Sequence, residues 1–146
     1  MKADSPQGRH FAKLDPASFV ADQELIEALD SHSTLVPCES DRVLFRQGEP
    51  PAGLYIFHGG AVTMNMLAES GQSLFAVQAL PGSVLGLPGL IGNEPYTLSA
   101  NARAGSEISF VGREEFTALM QSDPHLSLKI LQVLAAEVRS ARKAIY

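Results

Sequence analysis

The chain is organised around one stretch, PGSVLGLPGLIGNEPYTLSA, at residues 81–100. The stretch opens with a Pro-Gly turn and a short apolar run, and a bend of about ten residues rich in glycine and proline follows. From Tyr96 to Arg103 apolar and polar residues alternate, which predicts a strand with one buried face. A bend that fixes backbone amides between two strands can hold a small anion, and an ordinary long hairpin loop is the alternative.

The segments on both sides of this stretch form an ordered series. Upstream lie VLFRQGE at 43–49 and LYIFHGGAV at 54–62, and downstream lies REEF at 113–116, followed by a helical pattern. With its V-L-F-x-x-G entry, L-Y-x-x-x-x-G-x-V hairpin, G-x-x-x-L-I-x-x-x-P cassette and R-E-x-F helix start, the series resembles the cyclic-nucleotide-binding domain of the catabolite-activator (Crp/Fnr) superfamily. The resemblance covers residues 20–146.

The composition is typical of a one-domain globular protein. The 146 residues are 45% hydrophobic and 18% charged, which suits a chain with a core rather than a disordered one. No apolar run is long enough to span a membrane, and residues 1–10 lack the apolar segment of a signal peptide. We therefore expect a cytoplasmic protein without membrane association. Cys38 is the single cysteine, which excludes an internal disulfide.

Short apolar runs separated by turns predict strands. We place these strands at 33–36, 42–46, 54–58, 61–67, 72–80, 96–103 and 107–111. The pattern favours an antiparallel roll or sandwich. The family resemblance narrows this to a mainly β fold with flanking helices, a jelly-roll-like β-roll (double-stranded β-helix) with N-terminal helices and a long C-terminal helix.

Helical periodicity appears at both ends of the chain. We expect one or two short helices between residues 17 and 31, started by Asp15 and Pro16, a further helix at 113–121, and a long one from Pro124 to Ile145. The predicted organisation is a flexible tail at 1–13, a helix-flanked ligand-sensing β-roll at 14–121, and a dimerisation helix at 122–146.

Apolar residues recur along the last helix with alternating spacings of three and four. They are Leu131, Leu134, Val138, Ala141 and Ile145. This spacing is typical of a coiled-coil interface, and packing of the same residues against the protein's own β-roll is the alternative. We expect residues 126–130 to pack against the roll. Because similar domains in the family dimerise along this helix, the resemblance implies a homodimer.

The candidate ligand-binding residues lie in the cassette. They are Gly86, Leu87, Pro88, Tyr96 and Thr97. In the family a glutamate at the second of these positions takes a ribose hydroxyl, and an arginine at the fourth pairs with the cyclic phosphate. Here Leu87 and Tyr96 stand at those positions, and Pro88 removes a backbone N–H. Because tyrosine cannot replace the bidentate guanidinium, we expect no standard cyclic AMP or cyclic GMP binding and no cofactor.

The pocket that the resemblance implies is apolar. Its expected lining residues are Phe75, Leu85, Leu87, Tyr96 and Leu98. Two interpretations stay open: the pocket is filled by its own side chains, or it binds a different ligand that is less polar or neutral.

The histidines do not indicate a metal site. They are His10, His32, His58 and His125, and no two of them have metal-ligand spacing. His58 could in principle bind a haem, but a lone histidine at a hairpin is more often a surface residue. No spacing indicates a catalytic Ser/His/Asp, Cys/His or paired-carboxylate set.

The patterns together predict a non-enzymatic regulatory or sensory module that signals through its C-terminal helix, with an unidentified small-molecule effector or protein partner. One alternative is the effector domain of a Crp/Fnr-type transcriptional regulator that lacks its helix-turn-helix. Another is a small, cupin-like β-roll enzyme, which would need a bound metal. The net charge of −5 and the absence of a recognition helix after the long helix predict no DNA binding by this chain alone.

Overall fold

A computed structural model describes residues 14–144 of the protein. Eight strands form two antiparallel sheets, and helices flank them, which confirms the predicted β-roll architecture. The strands are β1 (Thr34–Val36), β2 (Arg42–Phe45), β3 (Gly53–Gly59), β4 (Val62–Leu67), β5 (Ser73–Gln78), β6 (Ser83–Leu85), β7 (Ser99–Ala102) and β8 (Glu107–Gly112). The helices are α1 (Gln23–Asp30), α2 (Leu87–Gly92), α3 (Arg113–Ser122) and α4 (Pro124–Ala144), with a short 3₁₀ helix at Pro16–Phe19.

Each sheet pairs strands that are distant in sequence. The first sheet has the order β1-β8-β3-β6, and the second has the order β2-β7-β4-β5. Side chains alternate between the two faces of each strand, so the first sheet contributes side chains to two cores, one on each face. Its outer face packs against the helices through Leu54, Ile56, Val84 and Val111. Its inner face packs against the second sheet, with the buried side chains Phe57, Leu85, Ile108, Val62, Met64, Ala100 and Ala102.

Aspartate caps begin both N-terminal helices, as the Asp15-Pro16 pair predicts for the first. The backbone N–H of Ala17 donates to the Asp15 carboxylate at 2.9 Å, and that of Leu25 donates to Asp22 at 2.9 Å. Asp22 also forms an ion pair with Lys129 of α4. This ion pair joins α1 to α4, and the backbone N–H of Asp15, which donates to Ser140 Oγ at 2.9 Å, joins the start of the 3₁₀ helix to α4.

The bend after β6 contains a helix that periodicity did not reveal. Helix α2 has only six residues, too few for a helical repeat, and two left-handed residues bracket it. Gly86 has φ of 95° and Asn93 has φ of 53°. Glycine and asparagine tolerate this conformation, which explains why the helix begins and ends there.

Strand β7 is shorter than the predicted strand at 96–103. The residues before Ser99 leave the sheet because Tyr96 pairs with the loop between β2 and β3. The Tyr96 carbonyl accepts from the Gly48 N–H at 2.7 Å, and the Tyr96 N–H donates to the Glu49 carbonyl at 3.0 Å.

Helix α4 has one buried and one exposed apolar face. Leu126, Ile130 and Val133 are buried in the core between the helices and the first sheet, which confirms the expected packing of residues 126–130. Leu131 and Val138 are 58% and 48% exposed. The predicted interface residue Ile145 and the predicted tail at 1–13 lie outside the described residues.

In the described part of the chain, no helix combines the length and the apolar character needed to cross a membrane.

Candidate functional site

A cavity of about 440 Å³ lies between the β-roll and helix α4. Its volume is within the range of about 300–1,000 Å³ that small-molecule sites usually have. The roll contributes Met66, Leu74, Phe75, Pro88, Thr97 and Leu98, the N-terminal segment contributes Leu14 and Phe19, and α4 contributes Leu134, Glu137, Val138 and Ala141. Because all but two of these side chains are apolar, the cavity favours an apolar occupant.

Glu137 is the acidic residue of this cavity. Its Oε2 atom is buried and has no hydrogen-bond partner within residues 14–144. Burial raises the pKa of Glu137 to about 8, because a carboxylate loses its hydration there and gains no compensating charge. The side chain is therefore mainly protonated at neutral pH, and its carboxyl group can donate a hydrogen bond.

Tyr96 lines a second, smaller cavity, which lies beside the start of α2. Its hydroxyl donates to the Gly53 carbonyl at 2.6 Å, and its ring packs against Phe45 with 4.2 Å between the ring centroids. The ring lies so close that a Cβ atom on Gly86 would meet it at 3.0 Å. Burial raises the pKa of the Tyr96 hydroxyl, so this group stays neutral.

The smaller cavity adjoins the larger one and is too small for most ligands. Its volume is about 30 Å³, and Gly86, Gly89, Tyr96 and Glu137 are among its lining residues. A water molecule needs roughly 10–15 Å³ on such a scale, so this space has room for one or two waters. A phosphate group has no room there, and an acid rather than a base faces it.

The structure brings four of the five candidate ligand-binding residues together. Pro88 and Thr97 line both cavities, and Gly86 and Tyr96 line the smaller one. Leu87 lies elsewhere, fully buried in the core between the helices and the first sheet. The other expected lining residues are divided: Phe75 and Leu98 line the larger cavity, and Leu85 and Leu98 line the smaller one.

Of the four predicted interface residues that the structure describes, three also line the larger cavity. They are Leu134, Val138 and Ala141. Leu131 does not line it and is the most exposed of the large apolar side chains of α4. A ligand in the cavity would therefore contact the same helix that the sequence predicts to dimerise.

His58 is half-buried and has definite partners. Its Nε2 atom lies 3.1 Å from Asp30 Oδ1 and 3.0 Å from Ser109 Oγ. Because the same ring nitrogen faces both groups, the three residues do not form the relay of a hydrolase, in which each ring nitrogen has its own partner. Within residues 14–144, no three His, Cys, Asp or Glu side chains gather as metal ligands would.

Sequence reasoning missed Glu137 and the contribution of the N-terminal segment. The signal for Glu137 was present, since Leu134 and Ala141 at i−3 and i+4 are apolar, so the acid lies within an apolar helix face. No local pattern reveals that Leu14 and Phe19 reach this cavity, because their contacts with α4 join opposite ends of the chain.

Comparison with known proteins agrees with this architecture. The family model described as the cyclic nucleotide-binding domain matches residues 35–123. The chain is 25% identical over 118 residues to the transcriptional activator protein anr of Pseudomonas aeruginosa, covering 78% of this chain and 48% of that protein. It is 23% identical over 138 residues to the anaerobic regulatory protein of Bacillus subtilis, covering 93% and 58%, respectively.

The catabolite activator protein of Thermus thermophilus has a similar structure, with a TM-score of 0.71 and 24% identity over 88% of this chain and 60% of that one. The chain thus spans about half the length of the curated relatives that it matches. The family model covers more than half of the chain, and the two sheets and the long C-terminal helix have the corresponding arrangement. The chain therefore belongs to the cyclic-nucleotide-binding domain family of the Crp/Fnr superfamily.

Proposed function

We propose that this chain is a non-enzymatic sensory module that binds a mainly apolar small molecule between its β-roll and α4, and that it signals through α4. The observation that carries the proposal is the apolar cavity of about 440 Å³, which is open to solvent on one side and which the helix and the roll line together. A ligand that contacts both walls stabilises one position of the helix relative to the roll, and this is how binding would become a signal.

The same geometry argues against a standard cyclic nucleotide. Tyr96 fills the place that the family gives to the phosphate-binding arginine, and Glu137 faces the remaining space. Two hydrogen bonds to charged groups are missing, each with a contribution of about 1.5–3 kcal/mol, so we expect an affinity lower by roughly two to four orders of magnitude. Gly86, Pro88, Tyr96 and Thr97 remain the proposed ligand-site residues of the cassette, and α4 supplies the opposite wall.

The module is proposed to act as a homodimer along α4. Leu131 exposes a large apolar side chain outside the cavity, and Val138, which also lines the cavity, is half exposed, on a helix that buries Leu126, Ile130 and Val133 in the core. Pairing with a second copy would remove this apolar surface from water. In this arrangement residues 14–121 form the sensing part and residues 122–146 form the dimerisation helix. A cytoplasmic location stays a prediction.

A second candidate is the effector domain of a transcriptional regulator. The relatives named above are a transcriptional activator and an anaerobic regulatory protein, and this chain matches about half of each. The length of the natural reading frame decides between this role and signalling through a protein partner. The 146-residue chain itself carries a net charge of −5, and we expect it not to retard duplex DNA in a gel-shift titration at physiological salt.

The proposed site can be tested with N-phenyl-1-naphthylamine, an uncharged dye whose fluorescence rises in apolar cavities. We expect the dye to bind the wild type, and Ala141→Phe to weaken binding because its phenyl group enters the cavity. The matched control Gln132→Phe adds the same group at an exposed position of α4 outside the cavity and should bind like the wild type. Absence of dye binding, or displacement of the dye by micromolar cyclic AMP, would contradict the proposal.

A further inference from the structure

We propose that the ligand is an uncharged, mainly apolar molecule with one carbonyl group, and that this carbonyl accepts a hydrogen bond from the carboxyl group of Glu137. The inference rests on the proposed ligand-sensing function and deepens it by naming the ligand class. It is carried by the position of Glu137, which lines both cavities and stands where they meet.

The larger cavity offers few polar side chains to a ligand. Among the described residues that line the larger cavity, Glu137 and Thr97 are the polar side chains. Thr97 is exposed to solvent, whereas Oε2 of Glu137 is buried and has no hydrogen-bond partner within residues 14–144. Buried polar groups in proteins nearly always have a hydrogen-bond partner. The smaller cavity has room for a water that can serve as this partner in the free protein, and a ligand group at the same point would replace that water.

The protonation of the Glu137 carboxyl group determines which ligand head group it favours. Burial raises the pKa of Glu137 to about 8, so at neutral pH the acid is mainly protonated and offers an O–H donor. An uncharged carbonyl accepts this donor without bringing a charge into the cavity. A phosphate or carboxylate would lose its hydration beside an acid and gain no counter-charge. An amine would have to ionise Glu137 and create a buried ion pair, which must overcome the desolvation of both groups.

The titratable and basic side chains near Glu137 determine whether the site attracts a charged ligand. Tyr96 is the other titratable residue lining either cavity in the described chain, and its hydroxyl is directed to Gly53. Arg139 and Lys143 of α4 line a separate groove with residues of the 3₁₀ helix, away from the cavity. No basic side chain within residues 14–144 lines the space that Glu137 faces, so the site offers nothing to attract an anionic ligand.

Three probes with one alkyl chain and different head groups test the inference. They are N,N-dimethyloctanamide (called octanamide below; methyl groups replace both N–H hydrogens, so only the carbonyl can accept), octylamine and octanoate, whose heads are neutral, cationic and anionic at neutral pH. Titration calorimetry should give octanamide the lowest dissociation constant. Because only the protonated fraction of Glu137 donates, raising the pH from about 6 to about 9 should weaken octanamide binding by about tenfold.

Two substitutions at Glu137 separate a hydrogen-bonding role from a packing role. Glu137→Gln keeps a donor of the same shape, so octanamide should still bind, and the pH dependence should disappear. Glu137→Leu removes the donor and should weaken octanamide binding by about threefold to tenfold while the dye still binds. Gln132→Leu, which replaces a polar side chain at an exposed position of α4 outside both cavities, should bind octanamide like the wild type. Circular dichroism of each variant verifies that it is folded.

The other outcomes overturn the inference in distinguishable ways. Equal affinity for all three probes would show that Glu137 does not select the head group, and the apolar sensing site would stand without the carbonyl. Tightest binding of octylamine, strengthening as the pH rises, would show an ion pair instead. If neither the probes nor the dye bound, both this inference and the proposed function would fail.

Discussion

Replacing Glu137 with glutamine should remove a large pH dependence from the stability of the protein. The pKa of Glu137 is about 8 in the folded state, compared with an ordinary value of 4.5, because the carboxylate is buried away from water. Each unit of pKa difference corresponds to about 1.4 kcal/mol, so the full displacement is equivalent to about 5 kcal/mol. Burial thus makes ionisation of this side chain much less favourable in the folded than in the unfolded chain.

The direction of the effect follows from proton binding. Between pH 4.5 and about 8 the folded chain holds a proton on Glu137 and the unfolded chain does not. The contribution of Glu137 to the free energy of unfolding therefore falls as the pH rises through this window, by up to about 1.4 kcal/mol per pH unit, and this contribution is constant on either side. Glutamine has nearly the same shape and no titrating proton, so Glu137→Gln lacks this contribution.

The assay is urea unfolding followed by circular dichroism at several pH values within and beyond this window. The free energy of unfolding of the wild type minus that of Glu137→Gln should decrease by several kcal/mol as the pH rises. Taking this difference cancels the contributions of the ionisable groups that the two proteins share. Glu39→Gln, which removes a carboxylate from an exposed turn, serves as the control and should follow the wild type. Parallel pH profiles for the wild type and Glu137→Gln would refute the reasoning.

Three further substitutions test other parts of the structure. Leu131→Glu places a charge on the exposed apolar face of α4 without entering the cavity and should convert the proposed dimer to a monomer in sedimentation; a wild type that is already monomeric at high concentration would contradict the dimer. Tyr96→Phe removes the 2.6 Å hydrogen bond to the Gly53 carbonyl and should lower the free energy of unfolding by about 1–3 kcal/mol, and an unchanged urea midpoint would show that this bond contributes nothing. Asp22→Ala removes the cap that accepts from the Leu25 N–H and should cost about 1 kcal/mol, whereas Asp22→Asn should retain most of the cap; equal thermal midpoints for the two variants would exclude a capping role.

The fold could be predicted from local patterns because each strand carries its own alternation. Val62 and Met64 alternate with polar residues, and both are buried inside the roll as that alternation requires. Helix α4 begins at Pro124, which is suited to a first helical turn. Helix α2 could not be predicted in this way, since six residues are too few for periodicity and its ends depend on left-handed Gly86 and Asn93.

The site was only partly predictable because its two walls are far apart in sequence. The cassette indicated an apolar pocket, and Tyr96 in place of an arginine indicated that a phosphate would not bind there. The burial of Leu87 on the other side of the sheet depends on the turn at α2 and could not be read from its position in the motif. The raised pKa of Glu137 depends on apolar neighbours from the roll and the N-terminal segment, which only the folded chain brings together.

The nested strand order has a consequence for the path by which the chain folds. Strands β4 and β5 form a local hairpin, whereas β3–β6, β2–β7 and β1–β8 join segments of increasing separation, up to the pairing of Thr34 with Phe110. Closing long loops costs entropy before contacts compensate for it, so such topologies fold slowly. We expect the sheets to assemble from the β4–β5 hairpin outward. Strand β1 cannot pair until β8 has been synthesised. Because α4 follows β8, a chain emerging from the ribosome would acquire its ligand cavity last, after both sheets are complete.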